Sequence, residues 1–347
     1  MKQGAISRKK LFELFQDMAQ AYRVYVPQKV SSGEEVEILP FTERTQINLD
    51  YVNVLTPAKR IFFPDTEVLC VFQRDKIIEP RGEICEIVVF GIRPCDARAL
   101  KYLDKIFGKF GNTKDVLYTQ RREHSTIISL ACISPVDTCF CTALGGSPAG
   151  TEGSDIIATV VGDELLFEAC TGRGEALMEK YAKVFRAPTT DEMNSCKQIA
   201  EKSTKQVQNN LSYNLQPVGW EAFDSDVWRY VSEICRGCGI CTLLCPTCHC
   251  FDITDERKGT LACRVRSWDT CQYPLFTLHA SGHNPRPSRK ERARQRIMHK
   301  FRYTVENVGA VFCVGCGRCV TKCPVGIDIR EILKRLGSGG KVCGDER

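Results

Sequence analysis

Two stretches repeat one pattern: Cys235-x-x-Cys238-x-x-Cys241-x-x-x-Cys245-Pro246 and Cys313-x-x-Cys316-x-x-Cys319-x-x-x-Cys323-Pro324. Three thiolates per tight loop, with glycines that let the loop close around a bound group, suit a cubane. The fourth cysteine leaves the loop, and the proline after it turns the chain away. This run holds [4Fe–4S] clusters, and in two-cluster chains the fourth cysteine ligates the other cluster. The expectation is therefore one cluster on Cys235, Cys238, Cys241 and Cys323, and another on Cys313, Cys316, Cys319 and Cys245. Paired C-x-x-C elements also occur in zinc ribbons, but those seldom carry three evenly spaced cysteines followed by x3-C-P, here found twice. A disulfide framework belongs to short secreted chains, and this chain has 347 residues.

The clusters use eight of the 21 cysteines. Cys95, Cys132, Cys139, Cys141, Cys248 and Cys250 remain as a set in loops at element ends. Four thiolates suffice for a third metal site, and Cys95, Cys132, Cys139 and Cys141 come from one region of the chain. They are expected to hold a third [4Fe–4S] cluster, with zinc as the alternative ion and buried thiols as the bland one. Cys248 and Cys250 either pack against a cluster or complete that third site. His249 is expected to be a supporting donor or a surface residue. Cys70, Cys85, Cys170 and Cys196 read as core, Cys263 and Cys271 as free thiols, and Cys343 as incidental in a disordered tail.

These residues need elements to hold them. Leu11, Leu14, Phe15 and Met18 repeat at helical spacing, Tyr22 to Val26 reads as a strand, and Phe62 and Phe63 read as core. Ile87-Val-Val-Phe90 is a short β-branched run closed by Gly91, hence a buried strand. Asp96 is the expected cap of a helix whose inner face is Leu100, Leu103 and Phe107, so Cys95 stands where strand turns into helix. A strand over Thr126 to Cys132 and a hairpin over Ile156 to Val161 and Glu164 to Phe167 complete an α/β or α+β domain over 1–215. In open α/β sheets, ligands bind at such strand ends. Residues 188–218 are helical and then linking. Phe223, Val227, Val231 and Ile234 form a helix leading into the first cluster loop. The second domain, 216–347, is expected to be helical, with an insertion over 251–312. Asp328 and Glu331 read as a capping box before the last helix, whose inner face is Ile329, Ile332, Leu333 and Leu336.

Hydrophobic content of 43% and charged content of 26% are ordinary for a soluble globular chain. No apolar stretch is long enough for a bilayer, and no apolar segment follows the basic start, so the expectation is cytoplasmic, without membrane or signal peptide. The cysteine content points to an anaerobe, because exposed clusters oxidise. Gly145 to Gly150 and Gly172-Arg-Gly174 read as turns; neither is a G-x-G-x-x-G or P-loop, so no flavin or nicotinamide site is expected. The net charge of +6 has one concentrated source, Arg286 to Arg302. It lacks the stacking aromatics of a nucleic-acid surface, and no nucleic-acid partner is expected. Its basic face is expected to meet an acidic partner or the cluster environment, with Arg292 and Arg296 contributing to a subunit contact.

Arg93-Pro-Cys-Asp96, Cys132-x6-Cys139-Phe-Cys141, Cys245-Pro-Thr-Cys-His-Cys250 and the two cluster loops, in this order, resemble one family, which joins the iron–sulfur subunits of anaerobic sulfite reductases to the sulfhydrogenase β subunits. The similarity runs from about Val24 to Leu336. It implies a bacterial-type dicluster ferredoxin core and an iron–sulfur electron-transfer subunit. Such a subunit works beside a flavoprotein that binds FAD and NAD(P), and exchanges electrons with a catalytic subunit. That catalytic subunit is a sirohaem sulfite reductase in one branch and a nickel–iron hydrogenase in the other; the segment Cys323 to Ile332 looks nearer the hydrogenase branch. The chain contains neither active site. Two other functions stand beside the relay: a reductase acting at its own N-terminal cysteines, and a docking module whose metal is structural.

Overall fold

The computed structural model describes residues 1–30, 33–73, 76–78, 85–108, 113–211 and 213–337. The tail holding Cys343 lies outside the described residues. The strands run β1 (Gln3–Ser7), β2 (Arg23–Lys29), β3 (Val36–Pro40), β4 (Thr66–Gln73), β5 (Lys76–Ile78), β6 (Ile87–Ile92), β7 (Ser125–Leu130), β8 (Ile156–Val161), β9 (Glu164–Ala169), β10 (Phe251–Lys258) and β11 (Leu261–Trp268). The chain forms two units, whose main break lies after Asn214. Two segments run against a single cut at 215: Pro64–Gly82 belongs with the second unit, and Val314–Cys316 with the first.

The first unit is built on a seven-stranded sheet in the order β1-β9-β8-β7-β6-β2-β3. The inner pairs β2–β6, β6–β7 and β7–β8 are parallel. Every residue of β6 and β7 is buried, as parallel strands covered on both faces must be. One face packs against Leu11, Leu14, Phe15 and Met18 of the helix Leu11–Met18, together with Leu177 and Met178 of the helix Gly172–Lys180. Phe62 and Phe63 are fully buried.

Three local expectations change. Gly91 does not close its strand. It takes φ 91° inside β6, where the register with β7 slips, and a Cβ there would stand 2.7 Å from the Pro27 ring. Asp96 does not cap its helix either. The helix Pro94–Leu103 starts earlier, because Pro94 needs no hydrogen-bond partner at the first position and has its φ preset. The capping position is Arg93, Cys95 lies inside the first turn, and Asp96 is buried one residue on. Lastly, Gly172 and Gly174 are not in a turn but open a helix capped by Thr171. Gly174 is small because a Cβ would meet the Asp155 carbonyl at 2.1 Å.

The second unit is not purely helical. It contains a four-stranded antiparallel sheet, β10-β11-β4-β5, so the expected insertion supplies a hairpin and the N-terminal half supplies two more strands. Inside it Arg266 and Glu67 pair at 2.5 Å with side chains 4% and 6% exposed. The helix Val227–Ile234 packs against the helix Arg289–Met298. Phe223 stands outside the first of these, in a short 3-10 turn Trp220–Asp224. The last helix, Ile329–Gly337, buries Ile329, Ile332, Leu333 and Leu336, and the Asp328 carboxylate accepts from the Arg330 N–H.

Candidate iron–sulfur sites

The two cysteine loops have the same backbone. Gly237 and Gly239 take φ 70° and 78°, and Gly315 and Gly317 take 65° and 77°. A left-handed residue on each side of the middle cysteine curls the loop, and glycine adopts that conformation without a Cβ clash. Short helices follow, Ile240–Leu243 and Arg318–Thr321, and contact one another. Each starts on a glycine carbonyl: Gly239 accepts from Thr242 and Leu243, and Gly317 from Val320 and Thr321. Seven of the eight expected ligands lie in the second unit, while Cys316 lies in the strip grouped with the first.

A pocket in the second unit is lined by Cys235, Cys238, Cys241 and Cys323, the expected set for one cluster, and also by Cys319. Cys238 is exposed, and Val231, Ile297, Ile329 and Ile332 give the pocket apolar walls. Cys245 is elsewhere, against the Thr247 hydroxyl at 3.3 Å and the Lys300 ammonium at 3.1 Å. Its thiol is held well below the usual range, because Cys248 donates to the sulfur and Lys300 and Arg296 add positive charge against the cost of burial. Burial pushes Cys241 and Cys319 up, with Arg296 opposing it in both.

Of the two surroundings expected for the basic run, Arg296 and Lys300 lie in the cysteine-rich one, and the expected subunit contact of Arg292 and Arg296 is not supported. Arg292, Arg296 and Lys300 are 7%, 8% and 3% exposed, so none presents its charge to a partner. Arg292 donates to the Arg286 and Pro287 carbonyls, and Arg296 to the Cys241 carbonyl. The Arg296 Nε is buried without a hydrogen bond among the described residues. Burial works against the charge of Arg296 and Lys300, and nearby cysteine sulfurs raise both pKa values in spite of it. A buried cation is costly unless an anion or full hydrogen bonding offsets it. No carboxylate among the described residues does so here; the counter-charge available is sulfur. A thiolate-ligated cluster fits this surrounding.

In the first unit Cys95, Cys132, Cys139 and Cys141 all line one pocket, together with Gly315 and Cys316. Cys95 comes from the first turn of its helix, Cys132 lies two residues beyond β7, and Cys139 and Cys141 flank the buried Phe140. Asn53 accepts from the Cys95 thiol at 3.9 Å and donates to the Cys316 carbonyl at 2.9 Å. Arg93, 3% exposed, stacks on the Tyr51 ring at 4.2 Å and spends its guanidinium on the carbonyls of Tyr51, Val52, Leu130 and Ala131. It is a third buried cation beside a cysteine sulfur, that of Cys132. Burial, then Cys139 and Cys132, push the Cys141 thiol up to about 12. Burial raises Cys132, with Arg93 opposing it.

The sequence left Cys248 and Cys250 open. The Cys248 thiol donates a hydrogen bond to the Cys245 sulfur, and the buried Cys271 thiol, raised by it, donates one to Cys250. His249 donates from Nδ1 to the Thr247 carbonyl at 3.0 Å, and its ring lies against His299 and Phe312. Cys70, Cys85, Cys170 and Cys196 are only half-buried, so they do not form core as expected. Asn53 and Arg93 were given no site role in the sequence, and Arg296 and Lys300 were read only as members of the basic run. For the last two a signal existed: positions 292, 296 and 300 are spaced by four and lie on one stripe with Ala293 and Ile297. Among the described residues no three His, Cys, Asp or Glu side chains converge on a point that one ion could fill, and no helix is long and apolar enough to cross a membrane.

Comparison with known proteins gives two findings. Residues 234–327 match a family described as a 4Fe-4S dicluster domain. The chain is 31% identical over 329 residues to Sulfhydrogenase 2 subunit beta of Pyrococcus furiosus, covering 94% of this chain and 96% of that one.

Proposed function

The chain belongs to the family of sulfhydrogenase β subunits and is an iron–sulfur electron-transfer subunit; on that premise we propose that it relays electrons through three [4Fe–4S] sites inside a cytoplasmic multi-subunit oxidoreductase. At one end stands a flavoprotein subunit that binds FAD and NAD(P), and at the other a catalytic subunit, either nickel–iron hydrogenase or sirohaem sulfite reductase. When bound, each cluster supplies a one-electron carrier. The chain's own part is to hold the carriers and offset their negative charge.

The observation that carries this proposal is the shared pocket of Cys235, Cys238, Cys241 and Cys323. Three sulfurs from one loop and the fourth from the other loop is the crossed arrangement that sets two cubanes side by side. Cys313, Cys316, Cys319 and Cys245 are then the second set. The pocket around Cys95, Cys132, Cys139 and Cys141, with Arg93 buried beside it, supports the third. Zinc at that position would keep the site and remove it from the relay.

The test is the metal content of the full chain prepared without oxygen. The wild type should bind about twelve irons, and the Cys139→Ser/Cys141→Ser protein about eight, four per cubane. Eight in both would reduce the chain to a two-cluster relay, and one zinc lost in the double variant would make the third site structural. The separate prediction that the chain holds no flavin fails if the purified chain retains one stoichiometrically.

A further inference from the structure

The two fourth cysteines occupy equivalent places in the repeat but not equivalent surroundings. Cys323 accepts from the Ile327 backbone N–H at 3.2 Å, a neutral donor. Cys245 faces Lys300. The Lys300 Nζ reaches three groups: the Cys245 sulfur at 3.1 Å, the Thr247 hydroxyl at 2.9 Å and the Phe312 carbonyl at 2.8 Å. The Thr247 hydroxyl spends its own hydrogen on the Phe312 carbonyl at 2.6 Å, so it can only accept from Lys300. The carbonyl also only accepts, as does a cysteine sulfur that ligates iron. Three acceptors need three N–H donors, and only the ammonium form of lysine has three. A full positive charge is therefore pinned, 3% exposed, against one of the two fourth cysteines.

We propose that Lys300 is a positioning residue that acts through Cys245. It makes the cluster ligated by Cys245 the higher in potential of the pair, so that electrons fall from the Cys323 cluster to the Cys245 cluster. Reduction adds one negative charge to a cluster, and a buried ammonium next to a ligand sulfur stabilises that charge more than water does. Net charge and hydrogen bonds to the sulfurs are among the known determinants of cluster potential. Arg296 does not create the asymmetry. It lies near Cys241 of one expected set and near Cys319 and Cys245 of the other, so its charge bears on both clusters. The proposal rests on the two-cluster reading above and adds a direction to it.

The experiment is a potentiometric titration of the full chain, prepared anaerobically and followed by electron paramagnetic resonance. In Lys300→Gln the cluster of Cys245 should become harder to reduce by about tenfold in its equilibrium constant, about 59 mV for one electron. The Cys323 cluster should move much less, and Lys300→Arg should keep most of the wild-type value. An unchanged potential in an iron-replete Lys300→Gln protein overturns the proposal. If that variant loses iron, the wild type decides. The signal missing from Cys245→Ser must be the one reduced first, and the proposal is wrong if it is reduced second. A wild-type chain that binds no iron would instead refute the two-cluster reading itself.

Discussion

The dicluster loops and the N-terminal cysteine pocket solve one problem in two ways. In the loops, three cysteines fall within seven residues and two left-handed glycines set their directions. The site is local, and tertiary structure adds only the fourth ligand. In the pocket, four cysteines come from a helix start, a strand end and a loop, and the parallel sheet gathers them. Both sites then place buried cations against the sulfurs. In the second unit those cations come from one helical stripe. In the first, the cation is Arg93, immediately before the helix that carries Cys95. Local sites are fixed by turn chemistry and distributed sites by the sheet, so the two should fail differently when perturbed.

The largest expected effect tests the crossing of the loops. Cys323→Ser should cost the cluster of Cys235, Cys238 and Cys241, and Cys245→Ser that of Cys313, Cys316 and Cys319, each about four irons. Neither change should remove metal from the Cys95 pocket. Each serine removing the cluster of its own loop would break the crossed assignment and leave two self-contained loops.

A smaller effect separates local from distributed geometry at equivalent glycines. Gly237 and Gly315 share φ near 70° and 65°. A Cβ on Gly237 would find its nearest neighbour at 3.6 Å, whereas one on Gly315 would meet the Phe140 carbonyl group and the Cys141 nitrogen at 2.5 Å. Gly237→Ala should then cost about 1 kcal/mol from its backbone alone, and Gly315→Ala roughly 3 kcal/mol or more, because overpacking adds to strain. Chemical denaturation of the metal-free proteins measures both. Equal losses would mean that the Phe140 strip yields freely and does not shape the pocket.

The comparison also explains what the sequence made legible. The loops could be read because every ligand but one lies close along the chain. The Cys95, Cys132, Cys139 and Cys141 set could be named because strand ends are where α/β sheets gather functional residues. Its surroundings could not. Asn53 and Arg93 reach their partners through the sheet, and no spacing in the sequence connects Asn53 with Cys316. The hairpin β10–β11 was missed because only Phe251 in β10 is even half-buried, so little alternation marks it. The run Arg286 to Arg302 was legible as a face for an acidic partner or for the clusters, but not the sulfurs it meets, because those lie far away in sequence and buried arginines are uncommon.

The smallest effect concerns protons in the metal-free chain. Cys141 is pushed up to about 12, first by burial and then by Cys139 and Cys132, from an ordinary value of 9.0. Between those values the unfolded chain has lost a proton that the folded chain keeps, so stability falls as pH rises from about 9 towards 12. Cys141→Ala should flatten that part of the curve in thermal melts. Cys245, held below its ordinary value, pulls the other way, and its stabilisation is lost as pH falls below 9. A curve unaffected by Cys141→Ala would remove the distinction between the sites.

The pairing of β4 with β11 has a consequence for synthesis. Glu67 and Arg266, which pair across these strands, lie 199 residues apart. At ribosomal speeds of about 5–20 residues per second, β4 waits on the order of 10–40 s before its partner exists. During that time its neighbour, among the described residues, is the three-residue β5. An unpaired strand edge is a template for the wrong neighbour. Slowing translation between residues 80 and 260 should therefore lower the yield of the native chain, even where every residue of both metal sites is untouched.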